Sequence, residues 1–168
     1  RKHTETRVRR NEMLLAQLFQ NIPLPVVLLT ETARVEQGNK GFEEMFGYTL
    51  AELKDRSIND FIVPEELTHE GVDLNNLIAS QKVVSIETVR RHRSGRIVNV
   101  ILYGMPVRLD NQTIGIYGVY VDITDRMRVE EELKIRNSEL DNFVYKVSHD
   151  LRAPLSSILG LVNLSRLP

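Results

Sequence analysis

From Leu133 onward the chain repeats in alternating steps of four and three: Leu133, Asn137, Leu140, Val144, Val147, Leu151, Pro154, Ile158 and Leu161. Apart from Asn137 and Pro154, every one of these residues is apolar. With Leu133 at a d position, a pattern sustained for about four heptads is a coiled-coil seam. At 1.5 Å per residue such a helix extends on the order of 60 Å, more than one small neighbouring domain can cover. The stripe therefore needs a second chain, and the pattern predicts a parallel homodimer. Asn137 at an a position fits, because one buried Asn fixes register and dimeric state at a cost in stability.

The rest of the composition narrows the chemistry. A length of 168 residues allows one compact domain with a remainder. A net charge of -1, from 22 basic against 23 acidic side chains, argues against nucleic acid as a partner. With no cysteine, the chain is without disulfides, thiolate metal sites, cysteine nucleophiles and cysteinyl cofactor bonds. No apolar run reaches the ~18 residues of a membrane span, and no signal peptide opens the sequence. These features predict a soluble, cytoplasmic piece without membrane contact of its own, though its parent is free to be membrane-anchored.

Four segments differ in period. Residues 1–20 are charged with a sparse helical stripe of Val8, Leu15 and Leu18 that continues to Ile22, and read as the end of an upstream coiled coil. Residues 21–123 mix short strands with helices. Residues 124–142 read as a coiled-coil linker helix, and residues 143–168 as the start of a second helical module, cut short.

Within residues 21–123, Val26 to Leu29 is a buried-type strand, followed by a turn at Glu31-Thr32 and a second strand over Ala33 to Gln37. Asn39 to Gly47 places Phe42, Met45 and Phe46 on one helical face. Thr49 and Glu52 have capping-box spacing. Pro64-Glu65-Glu66 is expected to open a longer helix. Three strands follow, Val83 to Arg91, Arg96 to Leu109 and Thr113 to Asp122, joined at Ser94-Gly95 and Asp110-Asn111. Val98, Val100 and Leu102 alternate on one face, as Ile114 and Ile116 do on the next strand. Helices gathered between two groups of antiparallel strands predict an α+β domain. Asp122 and Thr124 are both good N-caps and can fix the angle of the helix that follows.

Asn39 to Leu53, the R-S-G-R hairpin at Arg93 to Arg96 and the G-V-Y-V-D-I-T-D segment at Gly118 to Asp125 together resemble a PAS sensor domain. The resemblance covers about Leu18 to Asp125. It implies a five-stranded antiparallel sheet of order 2-1-5-4-3 with flanking helices around a small cavity, and a signal-relay role for Asp122 and Thr124. Without cysteine, neither a cysteinyl flavin adduct nor a thioester-bound chromophore can form there. His69 is the histidine to weigh as a haem ligand, against its plainer reading as a solvated residue near a helix start. The run Arg90 to Arg93, with His92, reads as a solvated hairpin edge, and His3 carries no signal. No cofactor-binding or metal-binding residue is nominated.

In the heptad register His149 falls at f, farthest from the seam, and a neutral imidazole is a competent nucleophile near pH 7. Asp150 can orient it or take its proton. Pro154 removes the hydrogen bond to the Asp150 carbonyl, so a bend or loosening is expected beside His149. These residues alone also fit two plain helices separated by a proline. Phe143 to Leu155, F-V-Y-K-V-S-H-D-L-R-A-P-L, closely resembles the phosphoacceptor box of sensor histidine kinases, over about Leu133 to Leu164. The resemblance implies that His149 takes the γ-phosphoryl group of ATP and passes it to an aspartate on a response-regulator receiver domain. It makes Asp150 the general base or orienting acid, Arg152 an electrostatic helper and Pro154 the bend that admits the catalytic domain. Ala153 stands where strong phosphatases of that family have Thr or Asn, and offers no side-chain hydrogen bond.

The nine glycines never occur as G-x-G, so no phosphate-cradling loop is present. ATP, with Mg, is implied for a separate catalytic domain of the parent chain, and the piece alone is expected to be inactive. Two alternatives stay open: a non-enzymatic dimeric PAS module that binds a ligand or partner, and a haem or flavin redox sensor.

Overall fold

The computed structural model describes residues 2–80 and 82–165, residues 2 and 3 by backbone alone. The His3 side chain and the last three residues of the expected 143–168 segment lie outside the described residues. The chain divides into two compact units, residues 1–124 and 125–168.

The first unit opens with α1 (Lys2–Asn21) and then builds one antiparallel sheet from β1 (Val26–Leu29), β2 (Val35–Gly38), β3 (Val84–Arg91), β4 (Ile97–Leu109) and β5 (Gln112–Asp122). The strand order is β2-β1-β5-β4-β3, the expected 2-1-5-4-3 arrangement. Between β2 and β3 lie α2 (Lys40–Phe46), α3 (Leu50–Leu53), α4 (Asn59–Ile62) and α5 (Thr68–Ala79). They cover one sheet face, so α2 to α5 and the inward residues of the strands share one core.

Local chemistry explains the boundaries. Asn39 caps α2 by accepting the Phe42 N–H at 3.0 Å, and Gly47 ends that helix at φ 77°, a left-handed C-terminal position suited to glycine. Between these stops the rings of Phe42 and Phe46 pack one turn apart, tilted at 53° with centroids at 4.8 Å, and both meet Tyr120 from β5. The Glu52 carboxylate accepts the Thr49 N–H at 2.8 Å and the Thr49 hydroxyl at 3.0 Å. Those bonds hold its pKa below the usual carboxylate range, reinforced by Arg93.

Beyond one-residue differences at the ends of β2, β3, β4 and β5, three features differ from the sequence expectation. β2 begins at Val35, not Ala33, because Ala33 sits at φ 61° inside the turn. The helix expected from Pro64 is first a 3-10 turn at Glu65–Leu67, with α5 starting at Thr68, whose hydroxyl donates to the Glu65 carbonyl at 2.7 Å. α4 is a single turn that the sequence reading did not anticipate, anchored by the buried Ile58 and Ile62.

Val98, Val100 and Leu102 all point into the core as their alternation predicts, but Ile114 and Ile116 part company. Ile116 is 1% exposed and Ile114 50% exposed. The β4–β5 register shifts at Val107/Arg108, where Gly115 and Thr113 face consecutive partners and Ile114 has none. A bulge re-aims the side chain next to it, so the parity rule fails at that one position.

The second unit is helical. α6 (Thr124–Leu164) runs unbroken for 41 residues, through Pro154, with no buried residue. Leu133, Leu140, Val144, Leu151, Ile158 and Leu161 are each more than half exposed, so within one chain the apolar seam is uncovered.

Candidate functional site

On α6 the imidazole of His149 is 69% exposed, and its Nδ1 lies 3.4 Å from Oδ1 of Asp150, itself 65% exposed. A tautomer with its proton on Nδ1 would direct that proton at the carboxylate and leave Nε2 without one. Arg152 is exposed on the next turn. Pro154 cannot donate to the Asp150 carbonyl. One turn further, the Ser157 hydroxyl donates to the Ala153 carbonyl at 3.0 Å, a bond of the kind that bends helices. His149, Asp150, Arg152 and Pro154 therefore occupy a stretch of less than two turns.

Asp122 and Thr124, the other pair marked in the sequence, are brought together at the end of β5. The Thr124 N–H donates to Oδ1 of Asp122 at 2.8 Å. Thr124 Oγ1 accepts the Asn99 N–H at 3.2 Å, and the Asn99 carbonyl accepts the Ile123 N–H at 2.9 Å. Thr124 thus ties the first residue of α6 to β4 as well as to β5. Its hydroxyl serves the neighbouring strand, where the sequence expectation had it capping the helix.

Besides Asn39, two buried polar groups differ from the sequence expectation. Arg90, expected on a solvated edge, is 2% exposed. Its Nη1 lies 3.0 Å from Oε1 of Glu70 on α5, 2.8 Å from the Val89 carbonyl and 3.2 Å from Thr88 Oγ1, while the Thr88 hydroxyl donates to the same Glu70 oxygen at 2.8 Å. Alternation along β3 turns Arg90 inward and leaves Arg93, at the hairpin, paired outside with Glu52 at 2.8 Å. Tyr120 is the second: burial pushes its phenol up to about 12, with Arg90 pulling the other way. His69, weighed as an axial ligand, is exposed on α5.

The strand order, the capped α2 and the strand-to-helix junction can be set beside known proteins. The family model described as PAS fold (PAS_4) matches residues 19–128. The chain belongs to the PAS family. Among solved structures, the PAS domain of an HTR-like protein from Haloarcula marismortui aligns with a TM-score of 0.63 at 21% identity, covering 73% of this chain and 100% of that one. The PAS domain of BvgS from Bordetella pertussis aligns at 0.58 and 18%, covering 77% and 98%. At these identities the likeness is one of fold. Among curated relatives, the sensor protein TdiS of Thauera aromatica is 26% identical over 135 residues, 80% of this chain and 24% of its own length. The sensor histidine kinase TmoS of Ectopseudomonas mendocina is 24% identical over 158 residues, 87% of this chain and 16% of its own. The chain spans about a quarter or less of the length of these relatives.

Two signals for the missed PAS residues were present in the sequence. Arg90 shares strand parity with Val84, which is buried, and Tyr120 lies two residues from Gly118 on the inward face of β5. Among the described residues no helix is long and apolar enough to cross a membrane.

Proposed function

We propose that this chain is the sensory and dimerising segment of a sensor histidine kinase, with His149 as its phosphoacceptor. The observation that carries this reading is the placement of an open imidazole, with Asp150 at its Nδ1, on a helix that begins at the Asp122–Thr124 junction of the PAS domain. Relatives named as a sensor protein and a sensor histidine kinase support it.

In this mechanism Asp150 accepts the Nδ1 hydrogen and holds the tautomer in which Nε2 is the nucleophile. Nε2 attacks the γ-phosphorus of ATP, delivered with Mg by the ATP-binding domain of the parent chain. A P–N bond forms, the bond from phosphorus to the bridging oxygen breaks, and ADP leaves. The phosphoryl group then passes to an aspartate carboxylate of a response-regulator receiver domain, which regenerates neutral His149. Arg152 supplies positive charge one turn from the phosphate, and Pro154 frees the Asp150 carbonyl and loosens the helix where the catalytic domain must approach. Ala153 offers no side-chain hydrogen bond for a hydrolytic water, so phosphatase activity through that position is weak. Signals reach His149 when the PAS domain changes the setting of α6.

The test is to supply the separate ATP-binding domain of the parent protein, with Mg-ATP, to the wild-type chain and to His149→Gln. Label on the wild type alone supports phosphotransfer. Label on neither, from a chain that still dimerises, favours the competing reading of a non-enzymatic PAS module.

A further inference from the structure

Asn39 is 0% exposed and uses both ends of its side-chain amide. Oδ1 accepts from Phe42 N–H, capping α2, and from Val26 N–H at 2.9 Å on β1. Nδ2 donates to the Leu24 carbonyl at 2.8 Å and the Ile22 carbonyl at 3.4 Å. One side chain therefore holds residues 22–25, the whole link between α1 and β1. Gln20, at the end of α1, grips the same corner: its Oε1 accepts the Lys40 N–H at 3.1 Å and its Nε2 donates to the Gly38 carbonyl at 3.4 Å.

The link is short, and Pro23 and Pro25 restrict its torsions, so it has little slack. Ile22 and Leu24 are 39% and 42% exposed and held by polar bonds, while Pro25 at the end of the link is buried. Its last carbonyl, on Pro25, accepts the Tyr120 N–H of β5 at 3.0 Å. Tyr120 stands two residues before Asp122, whose Oδ1 accepts the Thr124 N–H, and three before Ile123, whose N–H donates to the Asn99 carbonyl.

We propose that residues 22–25, anchored by Asn39, form a coupling clamp that transmits displacement of α1 to the β5–α6 junction through the Pro25–Tyr120 bond. The proposal deepens the signalling reading and rests on it for α1 as input and α6 as output. A link without slack cannot absorb motion of α1, so the motion is taken up at Asn39 and at Tyr120. Hydrogen-bonded networks are one of the structures through which distant sites are coupled when both sites bias the same element.

Asn39→Ser tests it in the full chain, because a serine hydroxyl still caps α2 but cannot donate to the Leu24 carbonyl. Amide hydrogen exchange followed by NMR is the readout. Exchange at Tyr120, Ile123 and Thr124 is expected to rise about tenfold, the equivalent of one lost hydrogen bond, while amides of the β3–β4 ladder stay unchanged. Gly41→Ala is the second variant, should Asn39→Ser fold poorly. A Cβ at Gly41 would lie 3.3 Å from the Pro25 nitrogen and 3.4 Å from the Leu24 carbonyl oxygen, so it presses on the link with every Asn39 bond donor intact. Loosening confined to residues 22–42, or a uniform rise across the core, overturns the proposal. The experiment uses neither ATP nor a kinase domain, so its failure is distinct from failure of the phosphotransfer reading.

Discussion

The guanidinium of Arg90 and the carboxylate of Glu70 meet at 3.0 Å, the arginine 2% exposed and the glutamate 31%. A buried charge that loses its partner is destabilising, whereas replacing both partners by apolar groups is often neutral. Glu70→Ala is therefore expected to cost about 2 kcal/mol, at the low end because the carboxylate is partly solvated. The double substitution Arg90→Met, Glu70→Leu should recover most of that loss in urea denaturation. If the single variant were as stable as wild type, the pair would be no more than a surface contact.

Tyr120 sets an alkaline limit. Its folded phenol ionises at about 12, above the ordinary value of 10.0, so the folded state holds the proton more tightly than the unfolded state does. Stability from this group is complete below the unfolded pKa and falls as pH rises from there towards the folded value, by about 3 kcal/mol in all. Tyr120→Phe should flatten that part of the stability–pH curve. An unchanged slope would show that the phenol is not what burial makes it.

The seam on α6 is bare in one chain, and Leu140 and Val144 are 58% and 53% exposed. If the seam is covered by a second chain as proposed, a charge placed there breaks the dimer and leaves the PAS core untouched. Light scattering of the wild type at micromolar concentration should give twice the chain mass, and Leu140→Asp or Val144→Asp should give the monomer mass with unchanged PAS-domain unfolding. A wild-type monomer would contradict the coiled-coil reading.

Where one periodicity ran over many residues, sequence and structure agree. β4 alternates through Val98, Val100 and Leu102, and the heptad from Leu133 forms one helix. The strand order could be read only because the PAS resemblance supplied it; pattern alone does not rank strand neighbours. The side chains whose facing the pattern misjudged depend on a neighbouring element rather than on their own strand. Ile114 is turned out by a bulge against Val107/Arg108, and Arg90 is drawn inward by Glu70, a residue 20 positions away. Asn39, which the sequence places only at the head of the Phe42–Phe46 helical run, caps that helix and also commits its amide to Ile22 and Leu24. At His149 the motif was legible, and the structure adds the direction of Asp150 towards Nδ1.

The chemistry of the phosphorylated residue tests the central claim most directly. With the parent protein incubated with Mg-ATP, mass spectrometry and phosphorus NMR of the trapped product should place an acid-labile phosphoryl group on Nε2 of His149. Phosphate on Nδ1, on another residue, or persisting in His149→Gln would contradict the account.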